Sequence, residues 1–219
     1  MHTHTTHSTR RAVLATTAAL AATLTLTGCR LPTTHTTTPA PAATPVAGAV
    51  DVAGLRVAPE DTGAPYDRDQ WPHWDYVGDG CDTRDEVLRE QGHGVRVGED
   101  CRITAGQWTS AYDGQVVTDP SELDIDHVVP LAEAARSGTR HWSEAQREAY
   151  ANDPALLVAV TAASNRAKGD QDPAHWLPDR DRCGYVQRWV AVKHRYRLTV
   201  DPAEAAALRG VLARCGGDR

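Results

Sequence analysis

The sequence predicts an α+β fold: a small antiparallel sheet with surrounding helices, stapled by disulfides. Three observations predict it. Short runs with a period of two, such as Leu123-Asp124-Ile125-Asp126-His127, alternate with runs at helical spacing, such as Tyr185, Trp189, Val192 and Tyr196. Turn-forming pairs, Asp113-Gly114, Asp119-Pro120 and Asp153-Pro154, separate the runs. Four cysteines, Cys81, Cys101, Cys183 and Cys215, lie beyond the first third of the chain. An even number in an exported domain reads as two disulfides.

Residues 1–28 read as an export signal: Arg10-Arg11 precedes an Ala- and Leu-rich run that is too short and too weakly apolar for a membrane span. The run ends in Leu26-Thr27-Gly28-Cys29, which resembles a bacterial lipobox and would make Cys29 a lipidated N-terminus. Thr9-Arg10-Arg11-Ala12-Val13-Leu14 also resembles a twin-arginine signal. A plain secretory signal with an incidental cysteine is the other reading. Residues 29–50, mostly Thr, Pro and Ala, cannot bury a core and read as a flexible tether. The expected location is therefore outside the cell, free or anchored to the outer face of the membrane. Residues 51–219 are left as one domain.

Along that domain, residues 57–74 are irregular, with Trp71 and Trp74 as anchors. In residues 75–86, Asp75, Asp79, Gly80 and Glu86 match positions of a calcium loop, but Val77 stands where an oxygen ligand belongs. A turn followed by a helix over 83–91, opened by Thr83 and Glu86 as a capping box and stopped by Gly92 and Gly94, is the favoured reading. Residues 95–104 read as one strand with Cys101 in or beside it. Residues 106–112 enter a hairpin at Asp113-Gly114 that continues in Val116-Val117. Trp108 and Tyr112 are assigned to packing rather than to base stacking.

The strand bearing Asp126 and His127 stops at Pro130. Its alternation turns Leu123 and Ile125 towards the core, and Asp124, Asp126 and His127 towards a cleft. A short helix over 131–136 follows, then a helix opened by the Ser143/Gln146 capping box and broken by Asn152-Asp153-Pro154. Residues 156–160 are an apolar run of strand length. Thr161 is the N-cap and Gly169 the stop of a helix bearing Asn165. Residues 115–170 thus form a strand–strand–helix core with a helical insertion. The helix over 181–196 has an apolar stripe and a basic remainder, Arg188, Lys193, His194 and Arg195, read as solvated surface. Asp201, Pro202 and Glu204 open the last helix, with Leu208 and Leu212 inward. Four cysteines allow three pairings; Cys81–Cys101 and Cys183–Cys215 are favoured because each closes a local loop. No Cys-x-x-Cys pair marks a zinc site.

At Asp126-His127-Val128-Val129-Pro130-Leu131, at residues 156–160 and at Asn165-Arg166-Ala167-Lys168-Gly169-Asp170, the sequence resembles the HNH endonuclease superfamily, whose core is a ββα-metal (His-Me finger) unit. With Trp176-Leu177-Pro178 it resembles, more narrowly, secreted HNH-family proteins related to the C-terminal domain of GmrSD restriction endonucleases. The resemblance runs from about Tyr66 to the C-terminus.

It implies a metal-dependent endonuclease acting on nucleic acid, DNA favoured over RNA, as a monomer. Asp126 and Asn165 would supply oxygens to one divalent metal, Mg²⁺ ahead of Mn²⁺, with Zn²⁺ last. Neutral His127 would take a proton from water. Arg166 and Lys168 would pair with the phosphate backbone. Asp124 and Glu133 are second-tier candidates near the site. In one respect the sequence departs from the family: the middle Asn, nine residues before the last, is replaced by Leu156. Asn152 nearby reads as a turn residue or helix terminator. A backbone carbonyl is then the expected brace for the His127 ring.

The net charge of −6 argues against tight nonspecific DNA binding through the whole surface, though not against a locally basic cleft. Two other readings stand beside the nuclease. Leu156 and the acidic balance suit a non-catalytic envelope module that kept the fold. His127, His141 and His175 would suit a zinc hydrolase acting on cell-wall material, though no His-x-x-x-His pair supports it.

Overall fold

An irregular arm leads into the first regular elements of the computed structural model, which describes residues 52, 54–63 and 65–215. The signal (1–28), the tether (29–50) and Cys29 lie outside the described residues. Along the arm, Leu55 and Trp71 are buried in the core, and Val57 makes an isolated parallel bridge to Val200.

The hairpin β1 (Tyr76–Gly78) and β2 (Cys81–Asp82) runs straight into helix α1 (Thr83–Gln91). The capping box falls one residue earlier than the sequence suggests. Asp82 accepts from the Asp85 N–H and Asp85 reaches back to Asp82. The Thr83 hydroxyl is engaged elsewhere, with the Asp75 carbonyl and the Asn152 side chain.

The single strand expected over 95–104 is two strands of a hairpin. Strands β3 (His93–Val97) and β4 (Ile103–Thr109) pair antiparallel, and β5 (Val116–Val117) adds to β4. The break is a 3-10 turn at Glu99–Cys101 with Asp100 and Cys101 at positive φ. Both expected disulfides are present, Cys81–Cys101 and Cys183–Cys215, with Cα separations of 4.8 and 5.6 Å.

Strand β6 (Leu123–His127) is followed by helices α2 (Leu131–Arg136) and α3 (Glu144–Ala151). Ser143 and Gln146 form the capping box of α3. Strand β7 (Leu157–Thr161) then returns antiparallel to β6, from Leu123 opposite Thr161 to His127 opposite Leu157. Leu156 itself closes a 3-10 turn just before β7. Helix α4 (Ala162–Lys168) starts at once: the Thr161 hydroxyl accepts the Ser164 N–H, and Gly169 at φ +56° ends it.

Every residue of β7 is buried, because this two-stranded ribbon separates two hydrophobic clusters. Leu157 and Ala159 join Ile125, Leu88 and Trp108 in one cluster. Val158 and Val160 turn into the larger one, with Tyr150, Val186, Trp189 and Leu208. That double burial is why β7 reads as a continuous apolar run rather than an alternation. Each fully buried Leu or Val contributes roughly 1.5–3 kcal/mol. The Gln91 side chain donates to the Leu157 carbonyl and accepts from the Ala159 N–H, which covers the outer edge of β7.

Helices α5 (Arg182–Arg195) and α6 (Pro202–Leu212) close the larger cluster, with Asp201 and Glu204 as the capping box of α6. Lys193 is not on a solvated face. It is fully buried, and its ammonium donates to Glu133 (2.6 Å), Ser137 (2.8 Å), the Thr199 carbonyl (2.8 Å) and Glu204 (3.1 Å). One cation thereby ties α2, α5 and α6 together. Burial pushes the Glu204 carboxyl up to about 7, against the opposing pull of Lys193.

Candidate active site

The last two residues of β6, Asp126 and His127, are each only 7% exposed, yet both line a cleft of about 330 Å³. His127 Nε2 lies 2.7 Å from the Ala151 carbonyl oxygen. A carbonyl can only accept, so Nε2 carries the proton and Nδ1 keeps the lone pair. Burial draws the imidazole down to about 4, which leaves it neutral near pH 7. The Trp74 indole stacks against the ring at 6.2 Å and 26°, and Tyr150 lies almost parallel to it at 6.4 Å and 6°.

The brace is therefore a backbone carbonyl, as the loss of the middle Asn led us to expect. Leu156 is wholly buried and uses its own carbonyl to accept the Val128 N–H. Asn152 ends α3 and does more. Its amide donates to the Pro72 and Glu148 carbonyls and accepts from the Asp75 N–H and the Thr83 hydroxyl. The arm is thus clipped to the end of α3, one residue from the carbonyl that holds His127.

Asp126 Oδ2 accepts from the Tyr112 hydroxyl (2.5 Å) and the Lys168 ammonium (2.8 Å). Burial raises its carboxyl, and Lys168 opposes that shift. Lys168 was expected to meet phosphate at the surface; it is fully buried and also donates to the His127 carbonyl at 2.9 Å. The reason is helical spacing: Asn165 and Lys168, three apart, share the face of α4 that covers β6. Asn165 Nδ2 donates to Asp124 Oδ2 at 3.0 Å, which leaves the amide oxygen as a donor for a cation. Asp124 is thus joined to the site. Glu133 is not: its carboxylate is taken up by Lys193, Ser137 and Arg136.

Of the residues singled out from sequence, Asp126, His127, Asn165 and Arg166 share the cleft. Arg68 and Trp74, from the arm, line it too. The sequence carries no periodic signal for Arg68, and Trp74 reads there only as an anchor. Tyr112 reads as packing, and its hydroxyl bond to Asp126 has no sequence signature.

The oxygens around Asp126 and Asn165 suit a hard divalent cation rather than zinc. The histidines of the zinc reading do not gather: His127 is held by Ala151, and His175 pairs with Asp172 at 3.2 Å. Among the described residues, the groups of three close metal-ligating side chains are Cys81–Glu86–Cys101, whose thiols are joined in the disulfide, and Glu60–Asp172–Asp201. Neither contains a histidine.

The family described as GmrSD restriction endonucleases, C-terminal domain, matches residues 82–211, which include β6, β7 and α4. An uncharacterized secreted protein of Arthroderma benhamiae is 44% identical over 168 residues, 75% of this chain and 82% of that protein. No solved structure matches.

Proposed function

Because the chain belongs to the family of GmrSD restriction endonuclease C-terminal domains, we propose that it is an exported, metal-dependent endonuclease whose ββα-metal core is β6, β7 and α4. The observation that carries this reading is the convergence of Asp126, His127 and Asn165 on one cleft, with His127 held in the tautomer that leaves Nδ1 basic.

In this reading His127 Nδ1 takes the proton of the attacking water while Nε2–H stays bound to Ala151. Tyr112 and Lys168 hold one oxygen of Asp126, Oδ2, and the other would be the one to bind the cation. Asp124 orients the Asn165 amide in the same way. A divalent cation, Mg²⁺ or Mn²⁺, would be held by Asp126 and the Asn165 oxygen and would supply charge neutralisation at the phosphate and the departing 3′ oxygen. Arg166, exposed at the rim, takes the phosphate role that Lys168 cannot.

Export is supported by the two disulfides and by a relative described as secreted. Among the described residues no helix is long and apolar enough to cross a membrane. Lipidation at Cys29 would supply an anchor. Nicking of supercoiled plasmid by the purified full chain tests the function. Cleavage with Mg²⁺ or Mn²⁺ that stops with EDTA and with His127→Ala is expected; cleavage surviving both rules the mechanism out. The second reading, a non-catalytic binding module, is favoured by one observation: the Lys168 ammonium already neutralises Asp126. Absence of both metal binding by calorimetry and cleavage of DNA or RNA would support that reading.

A further inference from the structure

We propose that Arg68 and Trp74 form a nucleic-acid recognition lip on the cleft, Arg68 binding a backbone phosphate beside the scissile one and Trp74 stacking a neighbouring base. The proposal rests on the nuclease reading above and deepens it. Both residues precede residue 82, where the family match begins.

Arg68 is exposed and opens a 3-10 turn, Arg68–Gln70, whose N-cap Asp67 accepts from the Asp69 N–H. Its guanidinium donates to His73 Nε2 at 2.9 Å. His73 Nδ1 in turn lies 2.8 Å from the Trp71 carbonyl, which can only accept, so Nδ1 bears the hydrogen and Nε2 receives the arginine. An imidazole that accepts holds the guanidinium without neutralising it. Among the described residues no carboxylate lies at ion-pair distance from Arg68, whereas Arg89 and Arg140 each have one and Arg136 has three. A positioned, uncompensated guanidinium with N–H donors to spare is the arrangement that takes a phosphate. Arg166 stands at the same cleft on α4, so cations from two separate segments border it.

Trp74 sits at φ +62°, a left-handed backbone that a bulky residue rarely adopts. That conformation lays the indole against the His127 ring and brings His73 edge-on to it at 5.3 Å and 69°. The segment is fixed: Trp71 is buried against Tyr150, and Asn152 grips the backbone at Pro72 and Asp75. Trp74 is half-buried against the smaller hydrophobic cluster yet still lines the cleft, where its indole offers a base a stacking surface that does not depend on sequence.

The test uses the full chain carrying Asn165→Ala, so that substrate survives and the His127 ring stays against Trp74, and fluorescein-labelled single-stranded DNA of mixed sequence, whose bases are free to stack. Affinity is read by anisotropy over a salt series. Adding Arg68→Ala is expected to weaken binding about tenfold and to lower the slope of log K against log salt by about 0.7. Adding Trp74→Leu is expected to weaken binding about tenfold at unchanged slope. Arg68 is exposed, so its variant decides the matter even if Trp74→Leu fails to fold. If the Asn165→Ala parent binds and Arg68→Ala binds equally well at the same slope, the lip is overturned and the nuclease reading stands. If the parent binds neither this DNA nor an RNA of the same sequence, both are overturned.

Discussion

Lys168 and Asp126 form an ion pair at 2.8 Å beneath the floor of the cleft, with the lysine fully buried. Burial lowers the lysine and raises the carboxyl, and the pair's own attraction opposes both shifts. Removing one partner leaves the other charge buried alone. Lys168→Met is therefore expected to cost about 3–5 kcal/mol in urea unfolding. Tyr112→Phe, which removes one hydrogen bond to the same carboxylate, should cost about 1.5–3 kcal/mol. Loss of less than 1 kcal/mol in the lysine variant would place its charge in solvent.

His127 makes the fold acid-sensitive. Its folded value, near 4, lies below the ordinary 6.5. The stability it supports is therefore complete above pH 6.5 and is lost as pH falls through 4. The amount is about 3 kcal/mol, at about 1.4 kcal/mol per unit. Urea midpoints measured from pH 7 to pH 4 should fall less steeply in His127→Gln than in the parent. The acid limb of cleavage should likewise lie below pH 6.5.

Glu204 works in the opposite direction. Its carboxyl, ordinarily near 4.5, is raised to about 7, so its contribution is complete below 4.5 and is lost as pH rises through 7. Glu204→Gln should flatten the stability profile between those values. Lys193→Met, which strands Glu133 and Glu204 together, should destabilise by about 3–5 kcal/mol, read from the same unfolding curves.

Asp113 secures the start of α4 from the loop between β4 and β5. It accepts from the Thr161 hydroxyl (2.5 Å) and the Ser164 hydroxyl (2.7 Å). Although partial burial opposes it, these bonds hold the carboxyl at about 2. Their stabilisation is present above pH 3.8 and is lost as pH falls through 2. Asp113→Ala should cost about 1 kcal/mol, and should increase hydrogen exchange at the first turn of α4.

Local chemistry made much of this fold readable. Thr161 and Gly169 bound α4, Ser143 and Gln146 open α3, and the short loops between cysteines selected the pairing that the structure contains. What escaped the sequence depends on distant partners. Lys168 and Lys193 sit in helices where a lysine ordinarily faces water; their burial is set by Asp126, Glu133 and Glu204, which lie on other elements. The turn between β3 and β4 needs positive φ at Asp100 and Cys101, and neither is a glycine that would have marked it. Arg68 and Trp74 reach the cleft on a segment that Trp71, Arg147 and Asn152 pin to the region of α3.

The central claim is that Asp126, His127 and Asn165 act together on one phosphodiester. Single-turnover cleavage of duplex DNA in one Mn²⁺ buffer, by the parent and by Asp126→Ala, His127→Ala and Asn165→Ala, tests it most directly. A loss of about 100-fold or more in each variant, with unfolding midpoints showing all three folded, is the predicted result. Parent-like cleavage by any folded member of the set would contradict it.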